Sequence, residues 1–170
     1  MPTSNLAIAI DALNMIEQVP HTGILDIGPG HGKYGLLIRE YLTDKPIRMD
    51  CIEAEPTYLV KFHWLKCLYD NILLGGGAEL TEEAFDVYDV VILFDVIEHI
   101  EKEKALAMLE RIRGRVMITT PEDFFEQHVE GVPSEDHISH WTTAEFQAMP
   151  RCEVAYENIG GVIVRLGPRQ

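Results

Sequence analysis

A regular alternation of apolar runs and amphipathic segments constrains the fold of this chain more than any other feature. The strongest run, Tyr88–Phe94, is apolar at successive positions, as expected for a central parallel strand that is buried on both faces. Further runs at residues 24–28, 47–53 and 115–120 are separated by segments whose apolar residues recur at helical spacing. Strands that alternate with helices predict an α/β fold with a doubly wound, mostly parallel sheet.

The end of the chain departs from this alternation. Two runs with strand character, residues 153–158 and 162–166, flank a Gly-Gly pair, which is the pattern of a hairpin. With a short strand at residues 72–74, the sequence predicts seven strands, of which the last two form an antiparallel hairpin. The length, and the absence of a linker rich in Gly, Ser or Pro, favour one domain over residues 1–170.

Helices are predicted over Asn5–Gln18, Lys33–Leu42, Pro56–Tyr69 and Glu101–Arg111, and a last helix begins at Thr142-Thr143 with Glu145 placed for a capping box.

Composition bounds the partners and the compartment. The chain has 14 Lys and Arg against 28 Asp and Glu, a net charge of −14, which argues against electrostatic capture of nucleic acid or an anionic membrane. Its apolar runs are too short to span a bilayer, and no signal-peptide pattern opens the chain. The three cysteines form no CxxC pair and are expected to be reduced thiols. We therefore expect a cytoplasmic protein, which can still bind a small zwitterion through backbone donors.

The first predicted strand runs into a glycine-rich loop, Asp26-Ile27-Gly28-Pro29-Gly30-His31-Gly32. Glycines let the backbone turn tightly and approach a ligand, and the N-terminus of the next helix offers unpaired N–H donors. A strand-to-helix turn without a ligand is the alternative. The spacing differs from the G-x-G-x-x-G dinucleotide fingerprint and Asp26 repels a pyrophosphate, which disfavours a nicotinamide-dependent oxidoreductase. The loop suits a cationic or amine-bearing ligand instead.

An acid closes the second predicted strand, where a carboxylate typically accepts hydrogen bonds from ribose hydroxyls. Glu53 is favoured for this role, and Glu55 is the neighbour that could be confused with it. Glu55 has an alternative role as an acid at the N-terminus of the following helix.

Taken in order, these motifs resemble those of the class I S-adenosylmethionine-dependent methyltransferases. The resemblance rests on the glycine loop, on Cys51-Ile52-Glu53, on Leu93–His99, on Val116–Pro121 and on the terminal hairpin, and it covers essentially the whole chain. Lys33-Tyr34-Gly35, Arg39–Leu42 and His137–Thr142 look more narrowly like a subgroup of small, functionally uncharacterised bacterial and phage methyltransferases. The resemblance implies an S-adenosyl-L-methionine cofactor and a small or exposed oxygen or nitrogen acceptor. The identity of the acceptor and the oligomeric state stay open.

The resemblance also implies where the cofactor lies. Its methionine part would lie on the backbone of Gly28–Gly30, its ribose on Glu53, and its sulfonium beside the main chain of Phe94 and Asp95. The family usually has Gly-Asp after the third strand, with the acid on the adenine amine. Here that segment reads Gly75-Gly76-Gly77-Ala78, so only backbone can read the adenine. The implied cofactor-binding residues are Asp26, Gly28, Pro29, Gly30, Gly32, Tyr34, Glu53, Ala54, Gly77, Ala78, Phe94 and Asp95. The missing acid keeps a second hypothesis open, a non-catalytic cofactor-binding or regulatory module.

Candidate catalytic groups follow the fourth predicted strand. If a helix begins at Asp95, that residue shares a face with Glu98 and His99. In some relatives that methylate small hydroxylated compounds, an acid-x-x-Glu-His segment of this form binds a divalent cation. The alternative is a helix N-terminal acid beside a histidine with a structural partner. No metal is assigned to the chain, and His99 is a candidate catalytic residue.

A long polar stretch, residues 122–141, follows the fifth predicted strand, and by topology it crosses the mouth of the site. We call it the lid segment. It carries His128, His137 and His140, and His137 is the candidate base or acceptor-orienting residue. A zinc pair of His137 and His140 lacks a third and a fourth ligand at suitable spacing.

Overall fold

A seven-stranded mixed sheet organises the part of the chain that the computed structural model describes, residues 6–42, 46–123, 125–158 and 161–169. The strand order is β3-β2-β1-β4-β5-β7-β6, in which β7 is antiparallel to both of its neighbours and the other pairings are parallel. This confirms the predicted doubly wound sheet with its antiparallel C-terminal hairpin. The strands are β1 (Gly23–Ile27), β2 (Arg48–Glu53), β3 (Asn71–Leu74), β4 (Val90–Phe94), β5 (Arg115–Thr120), β6 (Cys152–Asn158) and β7 (Gly161–Leu166).

Helices and short turns connect the strands. The α-helices are α1 (Ala9–Glu17), α2 (Lys33–Tyr41), α3 (Pro56–Lys61), α4 (Leu65–Leu68), α5 (Glu82–Phe85), α6 (Lys102–Arg111) and α7 (Thr143–Gln147). Single 3-10 turns lie at Leu6–Ile8, Gly77–Glu79, Ile97–His99 and Pro133–Glu135. None of the described helices is both long and apolar enough to cross a membrane.

The central strands β1 and β4 are buried at every position, so both faces of the sheet are covered there, which is why these strands are apolar at successive positions. In β1, Ile24 faces one core cluster while Leu25 and Ile27 face the other. Helices α1 and α2 pack on the first face, and α6 and α7 pack on the second. Because the connections leave β1 and β4 toward opposite faces, a crevice opens between the carboxyl ends of these two adjacent strands.

The prediction of one continuous helix over Pro56–Tyr69 is wrong, because two separate helices occupy this segment. Helix α3 ends at Lys61 and α4 begins at Leu65, with Phe62 outside helical geometry at φ −105° and ψ 59°. The indole N–H of Trp64 donates to the carbonyl of His31 in the glycine loop at 2.9 Å. This long-range hydrogen bond accompanies the break between the two helices.

Smaller differences concern the ends of elements. The predicted first helix begins as a 3-10 turn at Leu6 and becomes α-helical at Ala9, while Asn5 lies outside the described residues, as does the first glycine of the predicted hairpin turn. Helix α5, a single turn that buries Phe85 completely, was not predicted. The capping box is confirmed, since the Thr142 side chain accepts from the Glu145 N–H and the Glu145 carboxylate accepts from the Thr142 N–H.

Candidate functional site

A cavity of about 550 Å³ opens at the carboxyl ends of the central strands. It is lined by the glycine loop, by the segments that follow β2, β3 and β4, and by part of the lid segment. The predicted site residues that line it are Asp26, Gly28, Pro29, Gly30, Tyr34, Glu53, Ala54, Gly77, Phe94, Asp95, His99 and His137. Residues that sequence reasoning assigned to one site therefore lie around one cavity, although their contacts with a cofactor stay predictions.

The glycine loop has a backbone that only glycine adopts easily. Gly28, Gly30 and Gly32 have φ of 68°, 53° and 78°, in the left-handed region that costs other residues about 1–2 kcal/mol. A Cβ on Gly28 would also lie 2.7 Å from a methyl carbon of Val96. The Gly28 N–H donates to the carbonyl of Ile52 at 2.9 Å, which ties the loop to β2.

Two predicted cofactor residues, Gly32 and Ala78, are not among the residues that line the cavity, and their contacts with a cofactor stay predictions. Gly32 caps the N-terminus of α2, and a Cβ there would meet Leu65 and Leu68 in the packing beneath the loop. Ala78 is partly buried against the second core cluster, and its carbonyl accepts a hydrogen bond from Arg111 at 2.5 Å. Both residues shape the backbone around the cavity without facing it.

Gly77 brings main chain close to the end of β1. A Cβ at this position would lie 2.7 Å from the side chain of Ile27, so the position has no room for a side chain. The backbone of Gly75–Gly77 forms one wall of the cavity, which is where a flat base could approach the chain.

Asp26 is a buried carboxyl at the base of the cavity. The Tyr69 hydroxyl donates to it at 2.5 Å, a partner that the sequence did not indicate because the two residues are far apart in the chain. Burial raises the pKa of Asp26 to about 7; the Tyr69 hydrogen bond opposes this rise, and the nearby charge of Glu53 adds to it. Near neutral pH this carboxyl can therefore exist in both protonation states.

Glu53 and Glu55 have different environments. Glu53 is buried and lines the cavity, and its carboxylate accepts hydrogen bonds from Gly30 N–H at 3.3 Å and Glu55 N–H at 2.9 Å. Burial raises its pKa, while these backbone hydrogen bonds oppose the rise. The Glu55 side chain instead caps α3 by accepting from the Thr57 N–H at 3.0 Å. The placement favours Glu53 over Glu55 as the ribose ligand.

Asp95 has an unusual backbone at the end of β4. Among the described residues other than glycine it alone has a positive φ, 56°. Thr119 of β5 holds this conformation, because its carbonyl accepts from the Asp95 N–H at 2.9 Å and its hydroxyl donates to Asp95 Oδ1 at 2.9 Å. Strained backbone of this kind is concentrated at functional sites.

Glu98 is a buried acid that the sequence only partly identified. It is 3% exposed, Oε2 accepts from the Thr120 hydroxyl at 3.0 Å, and Oε1 has no hydrogen-bond partner among the described residues. Burial raises its pKa to about 8, and Asp95 adds to the rise. The predicted α-helix beginning at Asp95 is replaced by the 3-10 turn Ile97–His99.

His99 and His137 meet beside Glu98. Nδ1 of His99 lies 3.0 Å from the carbonyl of Asp136, and Nδ1 of His137 lies 3.1 Å from the carbonyl of Phe125. Since a carbonyl only accepts, both Nδ1 atoms carry the proton and each neutral ring keeps its lone pair on Nε2. Burial, and then the charge of His99, lower the pKa of His137, which favours the neutral base.

The same three side chains could hold a divalent cation. Ligand atoms of Glu98, His99 and His137 lie within 4.8 Å of one another, and no other such group occurs in the described part of the chain. Asp95, which the sequence placed in the candidate cluster, does not belong to it, and neither does His140. His140 is exposed, with Nε2 3.1 Å from the carbonyl of Glu122. The sequence analysis weighed His137 as a ligand only together with His140, because its position beside Glu98 and His99 depends on the fold of the lid segment.

The lid segment covers the side of the cavity that lies beside the histidines. Phe125, Gln127, Glu135, His137 and Ile138 line the cavity, as the topology predicted for this segment. The N–H groups of Ile138 and Ser139 donate to the Glu98 carbonyl at 2.9 and 3.0 Å. These hydrogen bonds fix the lid segment against the 3-10 turn that carries His99.

Comparison with known proteins supports the fold at low sequence identity. No protein-family model matches the chain, and no curated protein matches it significantly. The N-terminal domain of EvdMO1, crystallised in the presence of SAH and D-fucose, is 14% identical with a TM-score of 0.69, over 98% of this chain and 85% of that one. The methyltransferase domain of bacterial CtHen1 is 16% identical with a TM-score of 0.63, over 97% of this chain and 100% of that one.

A third similar structure has a name from another class of enzyme. It is named a putative Zn-dependent alcohol dehydrogenase from Rhodobacter sphaeroides, at 14% identity and a TM-score of 0.69, over 98% of this chain and 90% of that one. Function therefore has to be argued from the residues of the site. The sheet order, the terminal hairpin and these likenesses together show that the chain has the class I methyltransferase fold.

Proposed function

We propose that the protein transfers a methyl group from S-adenosylmethionine to an oxygen or nitrogen atom of a small or exposed acceptor. The observation that carries the proposal is the acidic cavity at the carboxyl ends of β1 and β4. The left-handed glycine loop lines one part of it, and the rings of His99 and His137 line another. The charged residues that line the cavity are Asp26, Lys33, Glu53, Asp95, Glu98, Glu101, Lys104 and Glu135. This excess of acids suits a sulfonium and an ammonium group better than a phosphate.

The cofactor-binding residues keep the roles that the resemblance implies. The backbone of Gly28–Gly30 binds the methionine part, Glu53 accepts from the ribose hydroxyls, and the wall at Gly77 contacts the adenine. The sulfonium lies next to the main chain of Phe94 and Asp95. The glycine conformations, the burial of Glu53 and the strained Asp95 support these roles.

The chemistry needs alignment and, for a protonated acceptor, a base. When bound, S-adenosylmethionine would supply a methyl group for in-line transfer to the acceptor, with the electrons of the broken carbon–sulfur bond left on sulfur, and the residues of this chain would align the two reactants. His137 takes the acceptor proton on Nε2, and His99, whose ring centroid lies 4.9 Å away, orients the acceptor or shares that role. The carbonyls of Phe125 and Asp136 keep both rings in the tautomer that this requires.

A divalent cation fits beside these residues. Glu98 offers a buried carboxylate oxygen without another partner, and His99 and His137 offer Nε2, a mixed set that transition metals accept. A cation bound there would act as a Lewis acid on an acceptor hydroxyl. The proton transfer to His137 is then an alternative for acceptors that bind without a cation.

Composition supports the cytoplasm as the location. Cys51, Cys67 and Cys152 are all free thiols, and Cys67 is exposed, which is the pattern expected in a reducing compartment. The net charge of −14 favours a small molecule over nucleic acid as the acceptor.

An assay of turnover distinguishes the methyltransferase hypothesis from the hypothesis of a non-catalytic cofactor-binding module. Incubation with S-adenosylmethionine and a pool of hydroxylated and amino metabolites should produce S-adenosylhomocysteine that His137→Ala reduces strongly and His140→Ala does not. If the chain binds the cofactor but no acceptor pool yields product, the non-catalytic hypothesis replaces the enzyme.

A further inference from the structure

Glu135 of the lid segment lines the same cavity as Glu53. Its charge is close enough to raise the pKa of Glu53, secondarily to burial. After burial, the charge of Glu135 also raises the pKa of the Tyr58 hydroxyl in α3. It acts in the same direction on the pKa of His31 in the glycine loop, against the lowering by burial. Glu135 is therefore electrostatically coupled to groups of α3, the glycine loop and the end of β2.

Backbone hydrogen bonds fix the turn that carries Glu135 in the lid segment. The residue ends the 3-10 turn Pro133–Glu135, and its N–H donates to the carbonyl of Val132 at 3.0 Å. Its carbonyl accepts from the Gln127 side chain at 2.8 Å, which joins the two limbs of the lid segment. A hydrogen-bonded turn thus holds Glu135 at the lining of the cavity.

No described Lys or Arg forms an ion pair with Glu135. Glu53 and Glu135 therefore line one cavity, neither forms an ion pair with a described Lys or Arg, and the mutual repulsion of the two carboxylates is unfavourable. Both oxygens of Glu53 already accept from backbone N–H groups, but each keeps a further lone pair. A ligand group that donates hydrogen bonds toward both acids would relieve this repulsion.

On the basis of the proposed function, we infer that Glu135 binds the nucleoside part of the cofactor by accepting a hydrogen bond from a ribose hydroxyl or the adenine amine. The lid segment then contributes to both halves of the reaction, with Glu135 on the cofactor and His137 on the acceptor. It also supplies a carboxylate for the nucleoside, which the segment Gly75–Ala78 after β3 cannot provide.

Calorimetric titration of variants tests this inference. We expect Glu135→Ala to weaken S-adenosylhomocysteine and 5′-methylthioadenosine by the same factor, about tenfold, because both ligands carry the nucleoside and a charge-assisted hydrogen bond is lost. Glu135→Gln should lie in between. Glu130→Ala removes an exposed acid of the lid segment that does not line the cavity, and it should change affinity less than about twofold. S-inosylhomocysteine, which has no adenine amine, distinguishes the donor: if Glu135→Ala no longer weakens its binding, the amine is the partner.

The outcomes separate this inference from the proposed function. Failure of the wild-type chain to bind S-adenosylhomocysteine overturns the proposed function and the inference with it. Wild-type binding with unchanged or tighter binding by Glu135→Ala overturns the inference alone. An unchanged melting temperature of Glu135→Ala without ligand shows that the variant folds. Hydrogen exchange gives a second readout, since S-adenosylhomocysteine should slow the amides of residues 127–137 in the wild type and much less in Glu135→Ala.

Discussion

The imidazole rings of His99 and His137 meet at a centroid distance of 4.9 Å and an interplanar angle of 61°, although they come from different segments of the chain. His99 belongs to the 3-10 turn after β4, and His137 belongs to the lid segment after β5. Each ring has its Nδ1 atom against a backbone carbonyl, so both lone pairs are on Nε2, and one ligand atom from each ring lies within 4.8 Å of a carboxylate oxygen of Glu98. A convergence of three acceptors favours a proton or a metal cation between them.

Cobalt titration tests this convergence without any assay of activity. Addition of Co²⁺ to the wild-type chain should give visible d–d absorption that saturates at one equivalent. His99→Ala and His137→Ala should abolish the saturable signal, while His140→Ala, outside the cluster, should keep it. A signal that survives in His137→Ala would contradict the ligand set.

Buried acids make the stability of the unliganded protein depend on pH. The folded pKa values of Asp26 and Glu98, about 7 and about 8, lie above the ordinary values of 3.8 and 4.5. At a pH between its ordinary and its folded pKa, each carboxyl is therefore protonated in the folded state and ionised in the unfolded state. The free energy of unfolding should therefore decrease as pH rises, by roughly 2–5 kcal/mol between pH 5.5 and 8.5. Urea midpoints across this range measure it.

Two Glu-to-Gln variants, one buried and one exposed, test whether Glu98 causes this pH dependence. Glu98→Gln should lose about half of the decrease, because its side chain no longer has to ionise in the interior. Glu101→Gln, at an exposed position, should follow the wild type. Equal slopes for the wild type and Glu98→Gln would show that Glu98 ionises at its ordinary pKa.

Alanine substitutions at two glycines with similar φ distinguish backbone strain from steric crowding of the added Cβ. Gly28 and Gly131 have φ of 68° and 78°, but a Cβ meets Val96 at 2.7 Å only at Gly28 and meets nothing within 4 Å at Gly131. Gly131→Ala should cost about 1 kcal/mol of stability and leave S-adenosylhomocysteine binding unchanged. Gly28→Ala should cost more, and it should weaken ligand binding because the loop must move. Equal effects of the two substitutions in denaturation and titration would contradict the proposed role of the loop.

Glu53 and Glu55 provide the second matched pair. Glu53→Gln should weaken S-adenosylhomocysteine about tenfold, because the carboxylate that faces the cavity becomes a neutral amide. Glu55→Ala removes the cap of α3 and should lower stability by about 1 kcal/mol with little change in affinity. Titration calorimetry and urea denaturation of both variants measure the two effects. The reverse pattern would assign the ribose to Glu55.

The sheet and its ligand-binding edge could be predicted from the sequence because they depend on local patterns. Apolar runs mark buried strands, and the carboxyl ends of parallel strands meet at one edge. The same logic placed Asp26, Glu53 and Asp95 around one cavity, and the side chains of the first two are buried there.

Contacts between distant segments could not be predicted in this way. The break before α4 goes with the Trp64 hydrogen bond to the glycine loop, and the partner of Asp26 is Tyr69 at the end of α4. The side chain of Glu135 reaches the cavity only because the lid segment folds back across it. A single sequence offers no periodicity that marks such pairs, so these partners required coordinates.

Calorimetric titration of the wild-type chain with S-adenosylmethionine and S-adenosylhomocysteine tests the central claim most directly. The account predicts saturable one-to-one binding of both ligands and a rise in melting temperature with each of them. No heat and no thermal shift at millimolar concentrations of either ligand would contradict it.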